Sequence, residues 1–195
     1  MSMTKITGYL GIAAISLFFI SLIVFGLLNQ NFQFMSDFIS KLGAKGEPYA
    51  LWWNLTGFLL VGITLTIFGF AYGMIIKDKL VGILLSLFGL GFAFTAIPMD
   101  MINDRSPVSK AHIVAICLGL ACWLFGLARM GYNPALASKV RRRANVAAIL
   151  LVSAMAGFAL QLWPMPLTHR LVFIVVFGWT LLASVELVMK KHLEV

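Results

Sequence analysis

Charge is the first thing this sequence is short of. Only 11% of its 195 residues are Asp, Glu, Lys or Arg, and only seven of those are acidic. A soluble domain carries about 25% charged residues, so this chain could not cover its surface in water. Cysteine is equally scarce. Cys117 and Cys122 lie five apart within one apolar run, too far round a helix to pair with each other, and read as small buried hydrophobes. The chain has three histidines and no H-x-x-x-H or H-E-x-x-H spacing, so no zinc-hydrolase motif is present. No polar stretch is long enough to form a soluble domain.

What the chain has is apolar runs, with 61% hydrophobic residues. They predict an all-α, polytopic integral membrane protein. Six transmembrane helices over 6–28, 51–73, 80–99, 111–130, 144–163 and 171–189 form a single membrane domain, at ~20 residues per span. The first run is too long for a signal-peptide core, and Asn-Gln-Asn-Phe follows Leu28 in place of a small-residue cleavage site, so it reads as a retained helix. Trp52 and Trp53 read as interface anchors. Gly82, Gly89 and Gly91 suit close packing of the third span. Pro164 and Pro166 close the fifth.

The net charge of +8 comes from basic residues at span ends, which is a topology signal and not a nucleic-acid surface. Lys5, Lys77, Lys79, Arg129, Lys139, Arg141, Arg142, Arg143, Lys190 and Lys191 fall on one side. Lys41, Lys45, Arg105, Lys110 and Arg170 fall on the other. The bias puts both termini in the cytoplasm, with Arg141–Arg143 in a connecting loop as its strongest mark. Glu186, the conspicuous acid of the inner half, lies four before Lys190 and is expected to pair with it.

The first outer loop, residues 29–50, is the longest connection. Met35, Phe38, Ile39 and Leu42 recur at helical spacing and predict a short amphipathic helix near the membrane surface, capped by Ser36 and stopped by Gly43. Asp37 lies four before Lys41, placed to pair with it. Other polar residues share this depth: Glu47, Asn54, Asp100, Asp104, Arg105, His112, Gln161, His169 and Arg170. Polar groups at the edge of hydrocarbon are costly unless paired or hydrated. Their gathering suggests an outward-facing polar pocket.

Ile39-Ser40-Lys41-Leu42-Gly43-Ala44, then Gly46-Glu47-Pro48-Tyr49-Ala50, then Asn54 and Gly57-Phe58 resemble the signature of a bacterial and archaeal membrane family of uncharacterised activity, domain of unknown function 998. Pro98-x-Asp100 followed by Ser106 or Ser109 and His112 is similar to its second motif. His169-Arg170-Leu171 with Trp179 is similar to its last. The chain departs at Met99, where the family carries a cysteine, and at His169, where it often carries glutamine. The resemblance implies a six-helix fold in a prokaryotic cytoplasmic membrane and no particular activity.

Three functions compete. The preferred one is a non-catalytic role as a membrane-protein assembly partner. The second is a hydrolase of a lipid or lipid-linked substrate at the outer leaflet. Ser40, Asp100 and His112 would be its catalytic set, and Ser36, Asp37, Asn54, Gln161 and Arg170 would bind substrate, Arg170 taking a phosphate head group. Zinc on Asp100, His112 and His169 is the metal such a site would use, since a catalytic zinc takes about three protein ligands plus water. The third is a transporter or receptor for a small polar solute. Haem is disfavoured, because His169 is expected in a loop and not inside the bundle.

Overall fold

The computed structural model describes residues 1–101, 103 and 106–189. Asp104 and Arg105, which the sequence places in the third loop, and Lys190 and Lys191, which follow the last span, lie outside the described residues. Among the described residues the chain is all α-helical. The elements are α1 (Met3–Leu28), α2 (Ala50–Ile75), α3 (Lys79–Phe94), α4 (Pro107–Tyr132), α5 (Ser138–Ala159) and α6 (Met165–Met189). Five are long and apolar enough to cross a membrane. The other, α3, is apolar but shorter, at 16 residues. The long helices expose Ile23, Phe70, Leu118, Phe125, Ile149 and Ile174 around the outside, a surface suited to lipid.

Helix boundaries move from the sequence expectation wherever a local capping signal decides them. Ser106 accepts the Ser109 N–H and Pro107 occupies the first turn, so α4 starts four residues earlier than expected. Pro166 likewise sits in the first turn of α6, where its missing N–H costs nothing. His169 and Arg170 are therefore on that helix and not in a loop. Helix α5 begins at Ser138, so Arg141–Arg143 are helical and not a loop cluster. At the other extreme α3 stops at Phe94. The Thr95 hydroxyl turns back onto the Phe92 carbonyl, and Pro98 follows.

Small residues set the closest packing. A Cβ on Gly89 would lie 2.3 Å from the Thr66 nitrogen, and one on Gly62 2.3 Å from that of Ala93. Gly91 faces Gly119, so α3 is held against α2 on one side and α4 on the other. The centre is aromatic: Phe18 meets Trp53, Phe92, Phe173 and Phe177 at centroid distances of 4.6–6.0 Å. Helix α2 is not regular. Asn54–Leu59 forms a π-helical turn, in which the Leu60 N–H reaches Leu55, five residues back. Gly57 lets the Trp53 ring fold over this turn; a Cβ there would lie 2.8 Å from it.

Both cysteines are free. Cys117 is exposed, contrary to the buried role expected of it, because its position on α4 looks out of the bundle beside Val114 and Leu118.

Candidate functional site

Residues 29–50 dock into the end of the bundle. Met35–Leu42 does not form the expected amphipathic α-helix on the surface. A single 3-10 turn, Ile39–Gly43, forms instead, with no side-chain cap from Ser36. Its Ile39, Ser40, Leu42 and Gly43 are buried, as is Ala44. Removing Ile39 and Leu42 from water stabilises the docked loop by about 1.5–3 kcal/mol each.

The reason for the tight turn is Asn54. Its Nδ2 donates to the Gly43 carbonyl at 2.9 Å inside the protein, and a Cβ on Gly43 would lie 1.9 Å from its Oδ1. Only glycine fits beneath it. Gly46 then turns with φ +86° and Tyr49 with φ +61° to enter α2. Asn29, buried at the end of α1, donates to Glu47 at 2.8 Å and joins the loop's two ends. The Lys45 N–H donates to the Met99 carbonyl at 2.8 Å and its Nζ stands 3.9 Å from Asp100, tying the first loop to the connection after α3.

Arg170 is the main strap. Its Nε donates to the Phe34 carbonyl at 2.8 Å, Nη1 to the Pro166 carbonyl at 2.7 Å and Nη2 to the Asp37 carbonyl at 2.6 Å and to that of Phe34. All three of its nitrogens are committed to backbone, so the fork expected to bind a phosphate fastens the loop to α6. Asp37 accepts from the Gln33 N–H and the Lys41 ammonium, each at 2.8 Å, which makes the expected i,i+4 pair. Burial pushes the Asp37 carboxyl up. The Lys41 hydrogen bond, the Gln33 N–H and the charges of Lys41 and Arg170 outweigh it and hold the carboxyl below its ordinary value.

The other predicted site residues fall on structural contacts. Ser36 is exposed and donates to its neighbour Gln33 at 2.7 Å. Gln161 is exposed, in a left-handed turn with φ +59° just beyond α5. Asp100 accepts the Asn103 N–H through Oδ1, and its own N–H donates to the buried Ser109 hydroxyl. His112 is buried with Nδ1 3.0 Å from the Ile97 carbonyl. A carbonyl only accepts, so the proton is on Nδ1. His112 Nδ1 is thus engaged by loop backbone, Asp100 is tied to Asn103, Ser109 and Lys45, and Ser40 is packed into the 3-10 turn. His169 lies on α6 against the rings of Phe38 and Phe173. Among the described residues no three His, Cys, Asp or Glu side chains converge to hold a metal, and Asp100, His112 and His169 form no such set. Among the described residues, the buried Asn54 Oδ1, Trp53 Nε1 and His169 Nδ1 at this end have no hydrogen-bond partner.

The opposite end holds two ion clusters that sequence spacing did not find. Asp78 caps α3 through the Val81 N–H and is buried; Arg129 Nε lies 2.9 Å from both its oxygens and Asn133 donates at 3.1 Å. Burial pushes Asp78 up, but the Arg129 hydrogen bond leads the contacts that hold it below its ordinary value. The basic residue at the end of α4 was the available signal. Glu186 pairs with Lys139 at 3.0 Å and Arg143 at 2.5 Å, across helices. Its expected partner Lys190 lies outside the described residues.

The arrangement is that of a multi-pass, all-helical membrane protein whose longest connection is strapped into one end. The family described as "Protein of unknown function (DUF998)" matches residues 12–186, and the chain belongs to it. No curated protein and no solved structure matches.

Proposed function

We propose that this protein is a non-catalytic six-span membrane protein, a single domain in a prokaryotic cytoplasmic membrane with both termini in the cytoplasm, acting as an assembly partner for another membrane protein. One observation carries this reading: Arg170, Asn54 and His112 at the docked-loop end are bonded to the backbone of the first loop and of the connection after α3. Arg170 gives all its nitrogens to backbone carbonyls, Asn54 is bound to Gly43 and His112 to Ile97. A hydrolase would leave its serine and imidazole open to substrate, whereas Ser40 is buried in the 3-10 turn and His112 Nδ1 is turned to the Ile97 carbonyl. The lipid-facing apolar helices supply the surface on which a partner would sit.

The test compares Ser40→Ala and His112→Ala with the parent after purification in mild detergent. Fluorophosphonate labelling, turnover of a panel of phospholipids and lipid-linked phosphates, and thermal unfolding are read together. The assembly reading expects no labelling or turnover, a lower Tm for His112→Ala, and a native-membrane particle well above the 21.5 kDa of one chain. Turnover abolished by Ser40→Ala at unchanged Tm would replace it with the hydrolase reading.

A second reading, a binding site for a small polar solute beneath the loop, is favoured by the unpartnered Asn54 Oδ1, Trp53 Nε1 and His169 Nδ1. A buried polar atom left unpaired costs about 1–3 kcal/mol, and a ligand bridging donor and acceptor would remove that cost.

A further inference from the structure

Away from the docked loop, a groove of about 530 Å³ lies between the start of α3 and the end of α4, beside the Asp78–Arg129 pair. Leu80, Leu84, Phe125 and Tyr132 make apolar walls, and Arg129 stands among them. We propose that this groove binds an anionic membrane phospholipid, with Arg129 as the ligand of its phosphate and the apolar walls receiving the start of an acyl chain.

Three features select that occupant. The first is position. Phe125 is 65% exposed and Tyr132 86% exposed, both on the outside of the bundle, so the groove opens sideways to the bilayer at a helix end, where head groups lie. The second is the way Arg129 is held. Of the Arg129 nitrogens it is Nε that donates to Asp78, and 48% of the arginine side chain, which lines the groove, remains exposed. The carboxylate beneath is itself only 3% exposed. A phosphate approaching from the lipid meets the guanidinium, and the acid is screened behind it. A guanidinium fixed in this way is pre-organised for a phosphate.

The third feature is charge. Lys77 and Lys79 flank Asp78, and Arg141 and Arg142 belong to the same end of the bundle. The acids described there, Asp78 and Glu186, are both already paired. The net field is positive and attracts anionic lipid, as basic pockets between transmembrane helices do. The groove therefore has an apolar wall, a cationic rim and lateral access to lipid, which together match an anionic amphiphile and not a soluble anion. The site shares no residue with the docked loop, so it stands or falls independently of the assembly reading.

The experiment uses the full chain in detergent. Phosphatidylglycerol, phosphatidylcholine or inorganic phosphate is titrated while thermal unfolding is followed, and native mass spectrometry counts bound lipids. Phosphatidylglycerol is expected to raise Tm saturably, with one tightly held lipid and roughly tenfold preference over phosphatidylcholine. Leu84→Trp, which fills the groove, should abolish that preference, and Arg129→Lys, which keeps the charge beside Asp78 and loses the fork, should weaken it. Leu80→Trp, on the exposed rim, serves if Leu84→Trp does not fold. The joint variant Lys77→Gln/Lys79→Gln should keep the single tight lipid. Equal effects of the two lipids would overturn the proposal. So would reproduction of the shift by inorganic phosphate, retention of the preference in the groove-filled variant, or its complete loss in the lysine variant, which would mark a diffuse surface attraction.

Discussion

A single arginine shows how a functional expectation turns into a structural finding. Arg170 at the end of a span, beside a histidine, has the look of a head-group ligand. Its geometry is that of a clamp, with bonds to the Phe34, Asp37 and Pro166 carbonyls. Charge-assisted bonds of this kind contribute about 1.5–3 kcal/mol where they are dry. Arg170→Ala is expected to lower stability by about that amount, and Arg170→Lys by less, since one ammonium replaces part of a planar fork. Thermal unfolding in detergent measures both; equal Tm values for all three proteins would show that the strap carries no weight. Asn54 and Gly43 form the matching pair. Gly43→Ala forces a methyl group against Asn54 Oδ1 and should cost about 1–3 kcal/mol. The sequence places Asn54 among the polar residues near hydrocarbon, but its partner is a backbone carbonyl eleven residues earlier, and no spacing rule reveals that. Protonation offers a further test. Asp37 and Asp78 both have folded-state pKa values held below 3.8. Each therefore contributes stability above that value and loses it as pH falls through the lower folded value. Stability should drop on acidification below about pH 4. The drop should shrink in Asp78→Asn, whose carboxamide no longer titrates; an unchanged acid limb in that variant would remove Asp78 from the account.

At the scale of the helix, the apolar runs were legible and their ends were not. Hydrocarbon thickness demands long apolar segments, so composition alone locates five of the spans. Ends are decided by single residues: Pro107 and Pro166 accepted into first turns, Thr95 turning back on Phe92. In the apolar pattern of Met35–Leu42, Ile39 and Leu42 are buried in the bundle end, Phe38 is half-buried against His169, and Met35 stays exposed. Periodicity reports that one side is apolar and says nothing about what covers it. The glycines of α3 were legible in the same limited way. Gly89→Ala would press a Cβ to 2.3 Å from the Thr66 backbone, which a flexible side chain cannot relieve, so a loss of about 1–3 kcal/mol is expected. Gly178 on α6 has nothing within 4 Å of such a Cβ. Gly178→Ala should be neutral or stabilising by up to about 1 kcal/mol, from helix propensity. If the two variants unfold at the same temperature, close contact between α2 and α3 is not what holds this pair.

The whole molecule poses a question of length. Helix α3 has 16 residues, about 24 Å at 1.5 Å per residue, against a hydrocarbon core of about 30 Å. Its flanks compensate: Asp78, between Lys77 and Lys79 in the chain, is paired with Arg129 at one end, and the Thr95–Ile97 turn continues the chain at the other. Helices α2 and α4 hold α3 on two sides, and Leu80, Ile83, Leu87, Leu90 and Phe94 form an exposed apolar stripe on its remaining face; a short helix fixed by its neighbours in this way can cross where an isolated one could not. Basic residues concentrate at one end, with Lys77, Lys79, Arg129 and Arg141–Arg143 there and fewer at the end of the docked loop. The expected arrangement is six crossings with the docked loop outside. Introducing Pro48→Cys or Ala135→Cys, both at exposed positions, in a Cys117→Ser/Cys122→Ser background tests it with a membrane-impermeant maleimide. Three crossings separate the two positions if α3 spans, so Pro48→Cys should label in intact cells and Ala135→Cys only after permeabilisation. The reverse pattern would invert the topology and turn the Arg129 groove toward the outer leaflet. Labelling of both from the same side would mean that α3 does not cross, and the positive end would no longer be a single cytoplasmic face.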